Sequence, residues 1–163
     1  MKPIRVIGIG NNMAGDDAIG SLIIKALKTK LLADVELIEA GMSGLGILDF
    51  MKGADVVILI DAVRSGRIPG TIHRLVIPDD LGLLMQSAWN SGATSTHGFG
   101  LGDSLTLSHT LRTLPPATLV YGIELGQTEM GTEVSSNVLQ AIEAVVLAIE
   151  KDVEAHVCMN SNS

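Results

Sequence analysis

"DVVILIDAV", residues 55–63, is the stretch that decides the fold. Five consecutive apolar residues precede Asp61. An uninterrupted apolar run of this length, bounded by polar residues, is typical of a strand that is covered on both faces, as in parallel sheets packed between helices. The stretch therefore predicts a central strand of an α/β protein, with a carboxylate where that strand ends.

Apolar runs of strand length recur on both sides of this stretch. Those at 5–10, 35–40 and 118–125 predict further strands, and "GTIHRLVI" (70–77) predicts one nearer an edge because His73 and Arg74 interrupt it. Amphipathic segments separate the runs, which is the pattern of strands alternating with helices. The helices are expected at 19–27, 44–53, 101–114 and 134–153. The predicted fold is a three-layer α/β/α sandwich around a mostly parallel five-stranded sheet.

Length and composition favour one domain, which we place at 1–155, followed by a polar tail at 156–163. The net charge of −7 argues against nucleic acid or an anionic membrane as partner. The single cysteine, Cys158, excludes an intrachain disulfide and favours a reducing compartment. Because no signal peptide or long apolar run is evident, we expect a cytoplasmic protein, and the 2% aromatic content favours a monomer.

Three polar side chains are expected at the carboxyl edge of the predicted sheet. Asp17 lies between the first strand and its helix, Asp61 ends the central strand, and His97 lies in a Gly- and Ser-rich loop before a helix. In open parallel sheets, functional groups gather at the carboxyl ends of the strands. Two carboxylates and an imidazole suit a borderline divalent ion such as nickel or zinc. These residues are therefore candidate metal ligands.

Each of these residues also has a structural explanation. Asp16 or Asp17 can cap the first helix. Asp61 can be solvated at a strand end, although a carboxylate after an apolar run is costly unless it is paired. His97 can be an ordinary loop residue. The other histidines are weaker candidates: His73 is expected on the surface of an edge strand, His109 partly buried on a helix, and His156 in the tail.

A Rossmann-like nucleotide-binding protein is one alternative. "GIGNNMAGDDAIG" (8–20) opens as a dinucleotide fingerprint does, and Glu39 at the end of the second strand suits a ribose-binding acid. However, Met13 stands where the third glycine belongs, and Asp16 and Asp17 would repel a pyrophosphate.

Four motifs in the same order resemble the hydrogenase maturation endopeptidases, which remove a C-terminal extension from the large subunit of nickel–iron hydrogenases. The motifs span roughly residues 4–150 and are "GIGNNMAGDDAIG", "ILIDAV", "STHGFGLGDSLTL" and "GIELGQTEMGTEVSSNV". The resemblance implies that Asp17, Asp61 and His97 contact nickel. It also implies that Asp17 and Asp61 are catalytic and that the nickel is contributed by the precursor, although other divalent ions suit the same site.

The same resemblance implies that the loop of Met42, Ser43 and Gly44 faces the substrate. Relatives commonly carry a second glycine and a threonine there, so "GMSG" (41–44) bears on the choice of partner. Relatives are often classed as aspartic-type peptidases, while a metal-dependent mechanism uses the same residues. A non-enzymatic nickel-binding maturation chaperone with these three ligands is a further alternative.

Overall fold

The computed structural model describes residues 3–10, 18–30, 34–41, 45–86, 100–126 and 134–161. Strands and helices mostly alternate along these segments, as the sequence predicts, although two strands follow each other directly and so do two helices. In chain order the elements are β1 (Ile4–Ile9), α1 (Ala18–Lys28), β2 (Val35–Gly41), α2 (Ile47–Met51), β3 (Val56–Val63), β4 (Ile72–Ile77), α3 (Leu81–Leu84), α4 (Leu101–Thr110), β5 (Ala117–Glu124) and α5 (Ser136–Ser161).

The strands form one five-stranded sheet in the order β2-β1-β3-β5-β4. The first four of these run parallel, and β4 pairs antiparallel with β5 at the edge. This confirms the predicted mostly parallel sheet, the central position of 55–63 and the edge position of 70–77.

The core has two halves, one on each face of the sheet. Along β3, Val56, Ile58 and Ile60 belong to a cluster with α1 and α5, while Val57 and Leu59 belong to a cluster with α2, α3 and α4. Successive side chains of a strand point to opposite faces, so one apolar run supplies both clusters. The structure is therefore the predicted α/β/α sandwich.

The largest differences from the predicted helix ends are at the C-terminal ends of α4 and α5. Helix α4 ends at Thr110 and does not reach Pro115. Arg112 adopts a left-handed conformation (φ 56°), and the N–H of Thr113 donates to the carbonyl of Ser108 at 2.9 Å, which closes the helix early. Helix α5 continues to Ser161, so residues 156–161 of the predicted tail are helical, and Val157 packs against the core.

Although α5 has 26 residues, neither it nor any other helix in the described segments is long and apolar enough to cross a membrane.

The close approach of β1 and α1 depends on two glycines. A Cβ atom on Gly8 would lie 2.6 Å from the carbonyl oxygen of Gly20 and 2.9 Å from Cγ1 of Ile24. A Cβ atom on Gly20 would in turn lie 2.6 Å from the carbonyl oxygen of Ile9. Because these neighbours are mostly backbone atoms, they cannot move aside without shifting the whole helix. Both positions therefore require glycine.

A hydrogen-bonded network joins the edge strand, its neighbour and the last helix. The Tyr121 hydroxyl donates to Oδ2 of Asp152 at 2.5 Å, and the Arg74 guanidinium donates to both carboxylate oxygens, at 3.1 and 2.7 Å. Burial, together with the hydrogen bond to Asp152, raises the pKa of Tyr121 to about 12. Burial alone would raise the pKa of Asp152, but the hydrogen bonds from Arg74 and Tyr121 outweigh it and lower that pKa. The network therefore favours a neutral phenol and an ionised carboxylate.

The outer edge of β4 is partly covered by the chain that follows it. Oδ2 of Asp80 accepts the N–H of Val76 at 2.8 Å, and the N–H of Asp80 donates to the carbonyl of Val76 at 2.8 Å. These are the backbone groups with which an additional strand would pair.

We predict that Gly20→Ala destabilises the protein, because the new methyl group meets the backbone of β1. Overpacking of this kind costs about 1–3 kcal/mol, which lowers Tm by roughly 2–4 °C per kcal/mol at this chain length. Gly82→Ala is the matched control, since a Cβ there has nothing within 4 Å. Thermal unfolding followed by circular dichroism measures both, and equal Tm values for the two variants would contradict the packing argument.

We also predict the titration of Tyr121, which is the only tyrosine in the sequence. The near-ultraviolet absorbance of its phenolate should rise with a midpoint at about 12 in the folded protein, against about 10 in urea. Since the folded pKa is the higher one, this group's contribution to stability is complete below the unfolded pKa and is lost as pH rises through the folded pKa. In Asp152→Asn the midpoint should move toward the unfolded value. A native midpoint equal to that in urea, with circular dichroism still native, would show the network to be wrong.

Candidate functional site

The candidate site lies where the order of the strands reverses. From β1 the chain passes through α1 to β2 on one side, and from β2 it passes through α2 to β3 on the other side of β1. Helices α1 and α2 pack on opposite faces of the sheet. A crevice at the carboxyl ends of β1 and β3 is the expected result, and ligands of open α/β sheets bind at such a switch point.

Asp61 occupies this switch point. The last pair between β1 and β3 joins Gly8 and Ile60, so Asp61 is the first residue of β3 beyond that pairing, while its other side still pairs with Gly122 of β5. It is partly buried, and Oδ1 accepts the N–H of Ala62 at 2.8 Å. This hydrogen bond is not its only interaction. The prediction that Asp61 lies at the carboxyl edge of a buried strand is confirmed, and its chemical role stays a prediction.

The other predicted site residues lie outside the described residues, namely Asp17, His97 and the loop of Met42, Ser43 and Gly44. The described ends of two of these segments meet at the switch point, because the N–H of Gly10 donates to the carbonyl of Gly41 at 3.1 Å. Segments 11–17 and 42–44 thus start from adjacent positions. Segment 87–99 leads into α4, which begins at Leu101.

Within the segments that the structure describes, no three His, Cys, Asp or Glu side chains come together as a possible metal site. Because two of the three predicted ligands fall outside those segments, the metal assignment stays a prediction. The donor set of two carboxylate oxygens and one imidazole nitrogen fits a borderline divalent ion.

Sequence reasoning missed Glu124, a fully buried carboxylate at the end of β5. Oε1 accepts the N–H groups of Ser65, Gly66 and Arg67 at 2.7, 2.9 and 3.2 Å, and Oε2 accepts the Ser65 hydroxyl at 2.7 Å. Buried carboxylates require such donors. The sequence feature that points to Asp61 also points to Glu124, because this acid directly follows the mostly apolar run in "TLVYGIE" (118–124).

The burial of two histidines differs from what the sequence predicts. His73 is not a solvated surface residue: its side chain is 19% exposed and Nε2 lies 3.4 Å from Oε2 of Glu124. His109, expected to be partly buried, is exposed on α4. His156 is helical and partly buried, with Nδ1 2.7 Å from the carbonyl oxygen of Asp152.

Glu39, the feature that favoured a nucleotide site, contacts α1. Oε2 accepts the hydroxyl of Ser21 at 3.1 Å, and Oε1 lies 3.6 Å from Nζ of Lys28. These contacts join the second strand to the first helix, which accounts for an acid at this position without a ribose.

Comparisons with known proteins agree with this architecture. A family model described as hydrogenase maturation protease matches residues 22–152. The hydrogenase 2 maturation protease of Escherichia coli K12 is 31% identical over 160 residues, which cover 93% of this chain and 94% of that protein. The solved structure of the hydrogenase maturating endopeptidase HybD from E. coli superimposes with a TM-score of 0.73 at 25% identity, covering 94% of this chain and 93% of that chain.

A relative from Thiocapsa roseopersicina, the hydrogenase expression/formation protein HupD, is longer than this chain. It is 30% identical over 126 residues, which cover 74% of this chain but only 53% of that protein. The match to the family model extends over most of the chain and the E. coli protease matches at nearly full length, so this chain belongs to the hydrogenase maturation protease family.

Proposed function

We propose that this protein is an endopeptidase that removes a C-terminal extension from the nickel-loaded precursor of a nickel–iron hydrogenase large subunit. The observation that carries the proposal is the position of Asp61, a carboxylate at the switch point of a sheet whose chain belongs to a protease family. A partly buried acid at this position, beyond the last pair between β1 and β3, is accessible to a substrate that lies across the carboxyl edge.

Asp17, Asp61 and His97 are the proposed nickel contacts. The nickel arrives as part of the precursor, so its binding lets the protease distinguish a loaded subunit from an empty one. The loop of Met42, Ser43 and Gly44, which follows β2 in the sequence, is proposed to contact the precursor and to influence which hydrogenase is accepted.

For the hydrolysis itself we propose an aspartic-type reaction. The carboxylate of either Asp17 or Asp61 accepts a proton from a water molecule, and the oxygen of that water adds to the scissile carbonyl carbon. The tetrahedral intermediate then breaks its C–N bond, and the leaving nitrogen takes up the proton that the carboxylate had accepted. The products are the shortened subunit with a new carboxyl terminus and a released peptide with a new amino terminus. The aspartates lie in separate segments of the sequence, so they need not share one proton as a close dyad does.

A cytoplasmic, monomeric protein that docks transiently on its precursor belongs to the same proposal. The single cysteine, Cys158, is a free thiol, which suits a reducing compartment.

We predict that Asp61→Asn abolishes processing of the precursor while leaving the fold intact. The amide keeps the shape of the side chain and an oxygen for the N–H of Ala62, but it removes the negative charge and the base. Asp17→Asn and His97→Ala should abolish processing as well. Asp79→Asn is a matched control, because Asp79 is an exposed carboxylate just after β4, at the opposite edge of the sheet. Gel and mass assays report processing, and circular dichroism reports the fold. Processing by Asp61→Asn at the native rate would refute the site assignment.

The dependence on nickel gives a second prediction. Intact-mass spectrometry of a nickel-loaded large-subunit precursor from the same organism should show the loss of one C-terminal peptide after incubation with this protein. A nickel-free precursor should keep its mass. A stable complex with unchanged mass would favour the nickel-binding chaperone instead, and cleavage of both precursors at equal rates would remove nickel from the recognition step.

A further inference from the structure

The connection between β3 and β4, residues 64–71, borders the candidate site and is held in one conformation. It has to cross the carboxyl end of β5, because β5 lies between the two strands that it joins. It begins at Arg64, which follows the end of β3 and is three residues after Asp61. We call residues 64–71 the crossover loop.

Glu124 is hydrogen-bonded to the first half of the crossover loop. Its carboxylate accepts three consecutive backbone N–H groups and the Ser65 hydroxyl, as described above. Its own N–H donates to the carbonyl of Thr71 at 2.9 Å, and its carbonyl accepts the N–H of Gly70 at 2.8 Å. The polar atoms of this one buried residue thus contact both ends of the loop.

The second half of the loop is a type II turn packed against α5. Pro69 and Gly70 (φ 88°) occupy its central positions, and the N–H and hydroxyl of Thr71 donate to the carbonyl of Ile68 at 3.0 and 2.6 Å. A Cβ atom on Gly70 would lie 2.7 Å from the carbonyl oxygen of Asn137, in the first turn of α5. The backbone on either side of Ile68 is therefore fixed.

This rigid loop presents an apolar side chain and a cation to solvent. Ile68 is 76% exposed, the largest value among the exposed large apolar residues of the described segments. Arg67 is also exposed and forms no ion pair with another described residue. A single exposed isoleucine is ordinary. Here, however, its backbone is ordered before any partner binds. Burial of Ile68 by a partner therefore costs little conformational entropy in the loop.

We propose that the crossover loop is a specificity-determining contact for the hydrogenase precursor, an inference that rests on the proposed function. Ile68 enters an apolar depression on the precursor beside its cleavage site, and Arg67 pairs with a carboxylate at the rim of that depression. Glu124 is a positioning residue, which acts through the loop and touches no substrate. The precursor is the occupant because the loop continues the strand that carries Asp61 and crosses the same carboxyl edge of the sheet.

The test compares Ile68→Ser with Leu147→Ser in steady-state cleavage of the nickel-loaded precursor. Leu147 is 54% exposed on α5 and lies away from the loop, so the control removes the same kind of side chain. For Ile68→Ser we expect KM to rise roughly tenfold with kcat unchanged, since the lost contact is made equally in the bound and transition states. Arg67→Gln should raise KM as well, and Lys151→Gln, at an exposed position on α5, should not.

Glu124→Gln tests the positioning role. The amide keeps an oxygen for the backbone donors but replaces the acceptor of the Ser65 hydroxyl, which loosens the loop. We expect KM to rise with little change in kcat, and we expect Ile68→Ser to add little in the double variant, because Ile68 is then no longer presented. Fully additive effects would refute the positioning role. If Glu124→Gln does not fold, Ile68→Ser and Arg67→Gln decide the proposal.

The outcomes separate this inference from the proposed function. If the native protein cleaves the precursor and Ile68→Ser behaves as Leu147→Ser does, the inference is wrong and the proposed function stands. A fall in kcat at unchanged KM would also overturn it, because the loop would then act on the chemistry. If the native protein does not cleave the precursor at all, the proposed function fails, and this inference fails with it.

Discussion

Burial of β3 on both faces is the constraint on which the rest of the structure depends. Its residues 57–60 are 0% exposed, so the strand must have a helical layer on each side and a neighbouring strand at each edge. The run ends at Ile60, the last residue of β3 that pairs with β1, and the next residue is Asp61. The position of the candidate site is thus a consequence of where the pairing with β1 stops. A carboxylate is tolerated at the first residue that this neighbour no longer covers.

The sequence predicted the features that local patterns encode. Apolar runs identified the strands, and the polar interruption at His73 and Arg74 placed 70–77 at an edge, since a central strand could not bury both residues. The antiparallel direction of β4 was not predictable in this way, because it depends on a crossover that passes over β5. The early end of α4 was also missed, since it results from the left-handed conformation of Arg112 rather than from Pro115.

The site was only partly predictable for a related reason. Asp61 was found because its apolar predecessors make an acid conspicuous, whereas His73 was misjudged because its partner, Glu124, is 51 residues away in sequence. Gly8 in β1 illustrates the opposite case, in which a correct sequence pattern has a different structural cause. Gly8 resembles the start of a nucleotide fingerprint, yet the structure requires it for the contact with Gly20, so that α1 can lie close to β1.

The contact between Asp80 and Val76 has a consequence for how the protein behaves among its own copies. An edge strand offers unpaired backbone groups to any other extended chain, and this is a common route to aggregation. Here the N–H and carbonyl of Val76 are already occupied by the chain that follows the strand. A sixth strand therefore cannot pair along the whole of β4, which disfavours growth of the sheet from one molecule into the next at that edge.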